Sequence, residues 1–240
     1  LQIIRIRLVG KAGFRTSLRD GLSAKEITMF KTAVLSAVLF AATAVTAQAH
    51  EVWLEREAAT LHVYLGDPDG RPDPEAAKRL TGGRLLIDGQ PQTVAYTAQA
   101  DHQTVPVTAA GDVRWVHDTV WEPWKTDDGK FQAAVYHARY GRSEPTGGAG
   151  YEFVPVAANS DTFVLTFEGK PVPDKTVKLV DPDKWAKQMA TDGEGRFTVP
   201  ARGKGKYILI AENETPSDVT VSGQKVDSLL HIATLTYIAE

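Results

Sequence analysis

From residue 50 onward the apolar positions come in short runs, alternating or continuous, with turn-forming residues between them. Val52-Trp53-Leu54, Leu61 to Leu65, Arg84 to Ile87, Val113 to Val116 and Phe131 to His137 are of this kind. So are Tyr151 to Val156, Thr162 to Phe167, Thr176 to Val180, Arg196 to Val199, Tyr207 to Ala211 and Leu230 to Ile238. Runs of roughly 4–8 residues rich in β-branched and aromatic side chains, bounded by Gly, Pro, Asn and Asp, predict strands. The helical period is confined to Asp73 to Leu80, where Asp73 is placed to cap, Pro74 to take the first position and Gly82-Gly83 to stop the helix. A short turn is expected around Lys184 to Ala190. The pattern predicts an all-β protein of two β-sandwich domains, Ig-like or prealbumin-like, with at most one short helix.

The first 49 residues follow a different pattern. Met29-Phe30-Lys31 precedes an apolar, alanine-rich run from Ala33 to Ala47 and then Ala47-Gln48-Ala49. A basic start, a short apolar core and a small-x-small site predict a secretory signal peptide over 29–49, cut after Ala49. The run is too short for a comfortable membrane span, which takes ~20 residues. Residues 1–28 are expected to be an upstream or mis-started segment. In the remainder, the Gly141 to Gly150 stretch reads as a long loop. A seam at Ala157 to Asp161 divides an N-terminal domain (50–160) from a C-terminal one (161–240).

The leader changes the charge balance. The whole chain carries 27 Lys+Arg against 30 Asp+Glu, a net charge of -3. The segment to Ala49 holds 7 basic and 2 acidic residues, which leaves 20 against 28, or -8, in the processed chain. That acidity argues against a nucleic-acid partner, which calls for a basic face. There is no cysteine, so thiolate-bound zinc, iron–sulfur clusters and disulfides are excluded. Any transition metal here must be held by nitrogen and oxygen.

The C-terminal half carries a recognisable series of turns. Gly169-Lys170-Pro171-Val172-Pro173, Thr191-Asp192-Gly193-Glu194-Gly195-Arg196-Phe197 and Gly205-Lys206-Tyr207 resemble prealbumin-like, carboxypeptidase-regulatory-type sandwiches. The wider arrangement starts at Ala49-His50-Glu51-Val52-Trp53-Leu54-Glu55 and includes Tyr151-Glu152-Phe153-Val154-Pro155. It ends in Glu214-Thr215-Pro216 and His231 to Tyr237. This resembles the DUF4198 family of exported proteins, linked to periplasmic accessory components of nickel and cobalt uptake. The resemblance implies a periplasmic protein that handles a transition metal beside an inner-membrane transporter.

Chemistry is carried chiefly by the six histidines. If cleavage follows Ala49, His50 gains an α-amine, which with its Nδ1 closes a six-membered chelate ring on one ion; cleavage after Ala44 or Ala47 removes that option. His231 shares a strand face with Ala233, Leu235 and Tyr237; His137 sits beside the glycine-rich loop; His117 precedes Asp118, an orienting acceptor if a turn intervenes. His50, His117, His137 and His231 are therefore the expected metal ligands, with Ni(II) or Co(II) the expected ion and Cu(II) the alternative. His62 alternates out of phase with its apolar neighbours, and His102 reads as a loop residue; both are expected to be exposed.

Other motifs set limits. No His-Glu-x-x-His, Gly-x-Ser-x-Gly, Gly-x-Gly-x-x-Gly or P-loop occurs, so neither a zincin, a nucleophile-elbow esterase nor a nucleotide site is expected. Asp67 to Asp73 spaces carboxylates as calcium loops do but lacks the distal Glu. Trp115, Trp121 and Trp124 read as core or as a stacking surface. The leading expectation is a non-enzymatic periplasmic metal carrier. A histidine-brace copper oxidase or polysaccharide mono-oxygenase, and a structural or carbohydrate-binding module, are the alternatives.

Overall fold

The computed structural model describes residues 50–87, 89–108, 110–200 and 202–240. The predicted signal peptide and the segment before it lie outside the described residues. Nine strands form the first half: β1 (Glu51–Glu57), β2 (Thr60–Gly66), β3 (Arg84–Ile87), β4 (Gln90–Thr93), β5 (Thr97–Ala98), β6 (Gln103–Pro106), β7 (Val113–His117), β8 (Trp124–Lys125) and β9 (Phe131–Tyr140). Ten follow: β10 (Tyr151–Pro155), β11 (Thr162–Phe167), β12 (Lys170–Pro171), β13 (Thr176–Val180), β14 (Ala186–Ala190), β15 (Arg196–Thr198), β16 (Gly205–Pro216), β17 (Thr220–Val221), β18 (Gln224–Lys225) and β19 (Ser228–Ala239). The fold is all-β, as the apolar pattern predicts.

The expected seam at residue 160 falls between β10 and β11, but the principal sheet crosses it. That sheet has nine strands in the order β14-β13-β16-β19-β9-β7-β3-β4, with β8 also on β9. Its two halves join where β19 pairs in parallel with β9, from Ser228↔Gln132 to Thr236↔Tyr140. The reason lies in β19. Twelve residues long, it pairs along its whole length with β16, and apolar or hydroxyl side chains on both its faces suit it to an interior position. The segment expected as a turn at Lys184 to Ala190 extends instead into edge strand β14 on β13.

A smaller sheet covers each face of the nine-stranded one. The first, β1-β2-β6-β5, buries Val52, Leu54, Leu61, Val63 and Leu65 against Trp115, Tyr136, Ala138 and Ile232. The second, β10-β11-β12 with β15, buries Tyr151, Phe153, Phe163 and Leu165 against Leu209, Ala233, Leu235 and Tyr237. Alternation in β9 and β19 divides these cores, since successive side chains point to opposite faces. Even positions such as Tyr136 and Ile232 face the first small sheet, while odd positions such as His137, Ala233 and Leu235 face the second. The sequence therefore builds two cores, one on each side of a shared sheet.

The helix forms where the capping pattern predicts. Asp73 accepts from the backbone of Glu75 and Ala76 at the start of α1 (Pro74–Ala77), which tightens into a 3-10 turn over Lys78–Gly82. The glycine-rich loop 141–150 is held by buried charges. Arg139, 1% exposed, bonds Asp112 at 2.6 Å and Glu152 at 3.1 Å, while Arg114 bonds Glu152 at 3.0 Å and Glu144 at 2.9 Å. The carboxylates in turn receive backbone N–H groups of the loop, including those of Ser143 on Asp112 and Ala149 on Glu152. Burial pushes the Asp112 carboxyl up, but bonds from Arg139 and Ser143 more than offset it and hold the group below its usual range.

Candidate functional site

The four expected ligands fall in three different places. His50 stands at the head of β1, directly before the residue that pairs with the end of β2 at Gly66. Its Nε2 lies 3.1 Å from Asp73 Oδ2, with both side chains about one-third exposed. Asp73 therefore has two roles: Oδ1 caps α1, and Oδ2 holds the imidazole. Bonds from the Ala76 backbone first, and then from His50, keep the Asp73 carboxyl below its usual range.

The surroundings of His50 are aromatic on one side and acidic on the other. The Trp121 ring meets the imidazole edge-on at 6.0 Å, and Arg79 lies over that indole. Trp121 Nε1 donates to the Tyr136 hydroxyl, which donates to the His50 carbonyl at 3.0 Å. Next along the chain, burial pushes the Glu51 carboxyl up to about 7 despite the opposing Lys178. Lys178 reaches Asp69 at 3.1 Å and Asp67 at 3.6 Å.

His117 has both ring nitrogens engaged by backbone. Nδ1 accepts from Thr119 N–H and Nε2 donates to the Arg79 carbonyl, each at 3.2 Å. It ties the end of β7 to the 3-10 turn, where the chain passes so close that a Cβ on Gly82 would lie 2.7 Å from its ring. A Cβ on Gly83 would lie 2.1 Å from Trp115, so this glycine pair is required by close approach as well as by the helix stop. Burial lowers the His117 pKa.

His137 and His231 do come together. They project from β9 and β19 onto the same face, with His137 Nε2 3.2 Å from His231 Nδ1 and rings 5.4 Å apart. Thr215 on β16 meets the other His231 nitrogen at 3.2 Å, and Phe167 lies edge-on to the ring at 4.8 Å. Burial, then the neighbouring His231, push the His137 pKa down to about 3. Burial also lowers His231, with Glu168 partly opposing. Both rings are thus neutral near pH 7. His137 Nδ1 and the Tyr151 hydroxyl are buried without a hydrogen-bond partner.

A second pair was not expected from the sequence. His62 Nδ1 lies 2.9 Å from His102 Nε2, and His102 Nδ1 lies 2.8 Å from Asp101 Oδ1. Alternation correctly sends His62 away from the Leu61-Val63-Leu65 face. It says nothing about β6, which pairs with β2 at His62↔Thr104 and brings the preceding turn over that face. The one local signal is Asp101-His102, an acid next to an imidazole just before a strand.

Among the described residues, no group of three or more His, Asp or Glu side chains is gathered to hold a metal ion. What the chain offers is two-donor sets: His50 with Asp73, His137 with His231, and His62 with His102. A cavity of about 500 Å³ also opens between β3, β7 and the glycine-rich loop. Its polar wall, Asp112, Arg114 and Glu144, belongs to the ion-pair network already described. The described residues thus form an all-β fold with one imidazole pair on the central sheet and another on the smaller β1-β2-β6-β5 sheet. No protein-family model matches the chain, and no curated protein matches it as a relative.

Proposed function

We propose that the protein is an exported, periplasmic carrier of a divalent transition metal ion, Ni(II) or Co(II), that delivers it to an inner-membrane uptake system. The ion is cargo rather than a resident cofactor. The observation that carries this reading is the bond between His50 Nε2 and Asp73 Oδ2. A carboxylate on Nε2 places the ring proton there and leaves the lone pair on Nδ1, the nitrogen able to chelate together with an α-amine on the same residue. Cleavage after Ala49 supplies that amine. The carboxylates around the head of β1 and the net charge of -8 in the processed chain favour a cation there.

Amine and imidazole donors without thiolate suit Ni(II), Co(II) and Cu(II). The copper-oxidase alternative calls for a second imidazole on the same ion. His117 has both nitrogens on backbone groups, and His137 and His231 bond each other, so the carrier reading is the better supported. The test is calorimetric titration of Ni(II) into three forms of the chain: one beginning at His50, one with a single glycine before His50, and His50→Ala. Binding in the first that weakens at least tenfold in the other two is expected. Equal affinity in all three overturns the reading.

A further inference from the structure

We infer that His62 and His102 form a second transition-metal site, independent of His50 and of signal-peptide cleavage. The two facing nitrogens are 2.9 Å apart. Two nitrogens each ~2.0–2.1 Å from one ion lie about 2.9 Å apart when cis in a square plane and about 3.3 Å apart on a tetrahedron. The spacing is that of the hydrogen bond itself and is also compatible with two cis donors of a tetragonal Cu(II) or Ni(II) centre once each ring turns its nitrogen away from the N···N line toward the ion.

The support behind the pair is of the kind that metal-binding histidines use. Asp101 is an acceptor, so His102 Nδ1 carries the proton that bonds it. In the neutral His102 ring Nε2 is then the lone-pair nitrogen and accepts from His62 Nδ1–H. This carboxylate–imidazole relay fixes the His102 tautomer with its ligating nitrogen facing His62. Metal entry requires that the His62 proton move from Nδ1 to Nε2 and that the rings turn toward the ion.

Aromatic rings back the pair. Tyr64 lies against His102 at 4.6 Å, and Trp53 stacks on Tyr64 at 5.1 Å with planes 10° apart. Glu55 lies across β1–β2 from His62 with Lys206 as its ion partner, and Asp101 bonds His102; burial first, then these two carboxylates, push the Tyr64 phenol up to about 12. The ligand class is a borderline divalent ion with water completing the coordination.

The test uses the full chain carrying His50→Ala, with Cu(II) as probe. One ion per chain is expected, with hyperfine structure from two imidazole nitrogens in the electron paramagnetic resonance spectrum. Adding His62→Ala or His102→Ala is expected to weaken binding at least tenfold and to remove one nitrogen coupling. Selective paramagnetic broadening of the His62 and His102 ring protons in the parent checks the site without any substitution at the pair. Affinity unchanged in the His62→Ala chain, or broadening confined to other histidines, overturns the inference. Because His50 is silenced throughout, failure here leaves the His50 reading standing, and failure at His50 leaves this one standing.

Discussion

The two histidine pairs make nearly the same contact in opposite settings. His62 and His102 meet at 2.9 Å on a partly buried sheet face, with a carboxylate behind one ring. His137 and His231 meet at 3.2 Å between the central sheet and the β10–β11 layer, with no carboxylate bonded to either ring. The first pair is only partly buried and has an acceptor behind one ring, so a metal ion can reach it while the His62 proton moves to the other ring nitrogen. The second is enclosed by Tyr151 and Phe167; of its two outer nitrogens, His231 Nε2 meets Thr215 and His137 Nδ1 faces no partner. Imidazole spacing alone thus does not distinguish a ligand pair from a core pair; the group behind the ring and the route to water do.

The largest expected effect comes from charging the enclosed pair. Unfolded, His137 titrates near 6.5; folded, near 3. Between those values the unfolded state binds the proton and the native state does not, so stability rises with pH through the window and is lost as pH falls. The loss from this one group is about 2 kcal/mol at pH 5 and about 4 kcal/mol at pH 3. Glu51, raised to about 7, acts with the opposite sign between its ordinary value and 7, so the comparison must be made between variants. Urea unfolding of the parent and His137→Gln at pH 7, 5 and 4 should give a distinctly flatter acid limb for the variant. Parallel curves would show that the pair carries no such penalty.

A smaller effect is expected at the carboxylate behind the exposed pair. Asp101→Asn keeps the size of the side chain but removes the obligate acceptor that fixes the His102 tautomer. Loss of such an outer partner typically weakens metal binding ~10–100-fold. Titrating Cu(II) into Asp101→Asn in the His50→Ala background should show that loss with an unchanged thermal midpoint. An unchanged affinity would mean that the bond between Asp101 and His102 contributes nothing to the ligand set.

The sequence made some of this legible, and the reasons are physical. Strand positions and the helix cap at Asp73 are local properties, set by alternation and by one side chain bonding two residues ahead. The shared sheet is not local. The parallel pairing of β19 with β9 joins residues about a hundred positions apart, and the apolar pattern of β19 fits a separate sandwich equally well. Turn motifs around Asp192 and Gly195 specify how the chain reverses, with Asp192 accepting from Glu194 and Arg196, but not which sheet the hairpin joins. Among the histidines, period-2 reasoning assigned His231 and His62 to the correct faces. It could not assign partners, because each partner lies on a strand brought in by tertiary pairing.

The smallest expected effect separates two functions of one residue and compares the two carboxylates that hold histidines. Asp101 caps no helix, whereas Asp73 caps α1 through Oδ1 and holds His50 through Oδ2. Replacing an Asp N-cap by Ala costs ~1 kcal/mol, while Asn caps about as well as Asp. Asp73→Ala should therefore lower the unfolding free energy by about that amount, and Asp73→Asn by a few tenths at most. At the imidazole the order differs, because Asn offers Nε2 a neutral acceptor with no charge to attract a proton or a cation. In the chain beginning at His50, Ni(II) binding should weaken in both variants, and in Asp73→Asn it should weaken with little change in stability. If affinity followed stability, strong in Asn and weak in Ala, Asp73 would be a helix cap that only happens to touch His50. Loss of binding in the well-folded Asn variant assigns the carboxylate to orienting the imidazole that holds the metal.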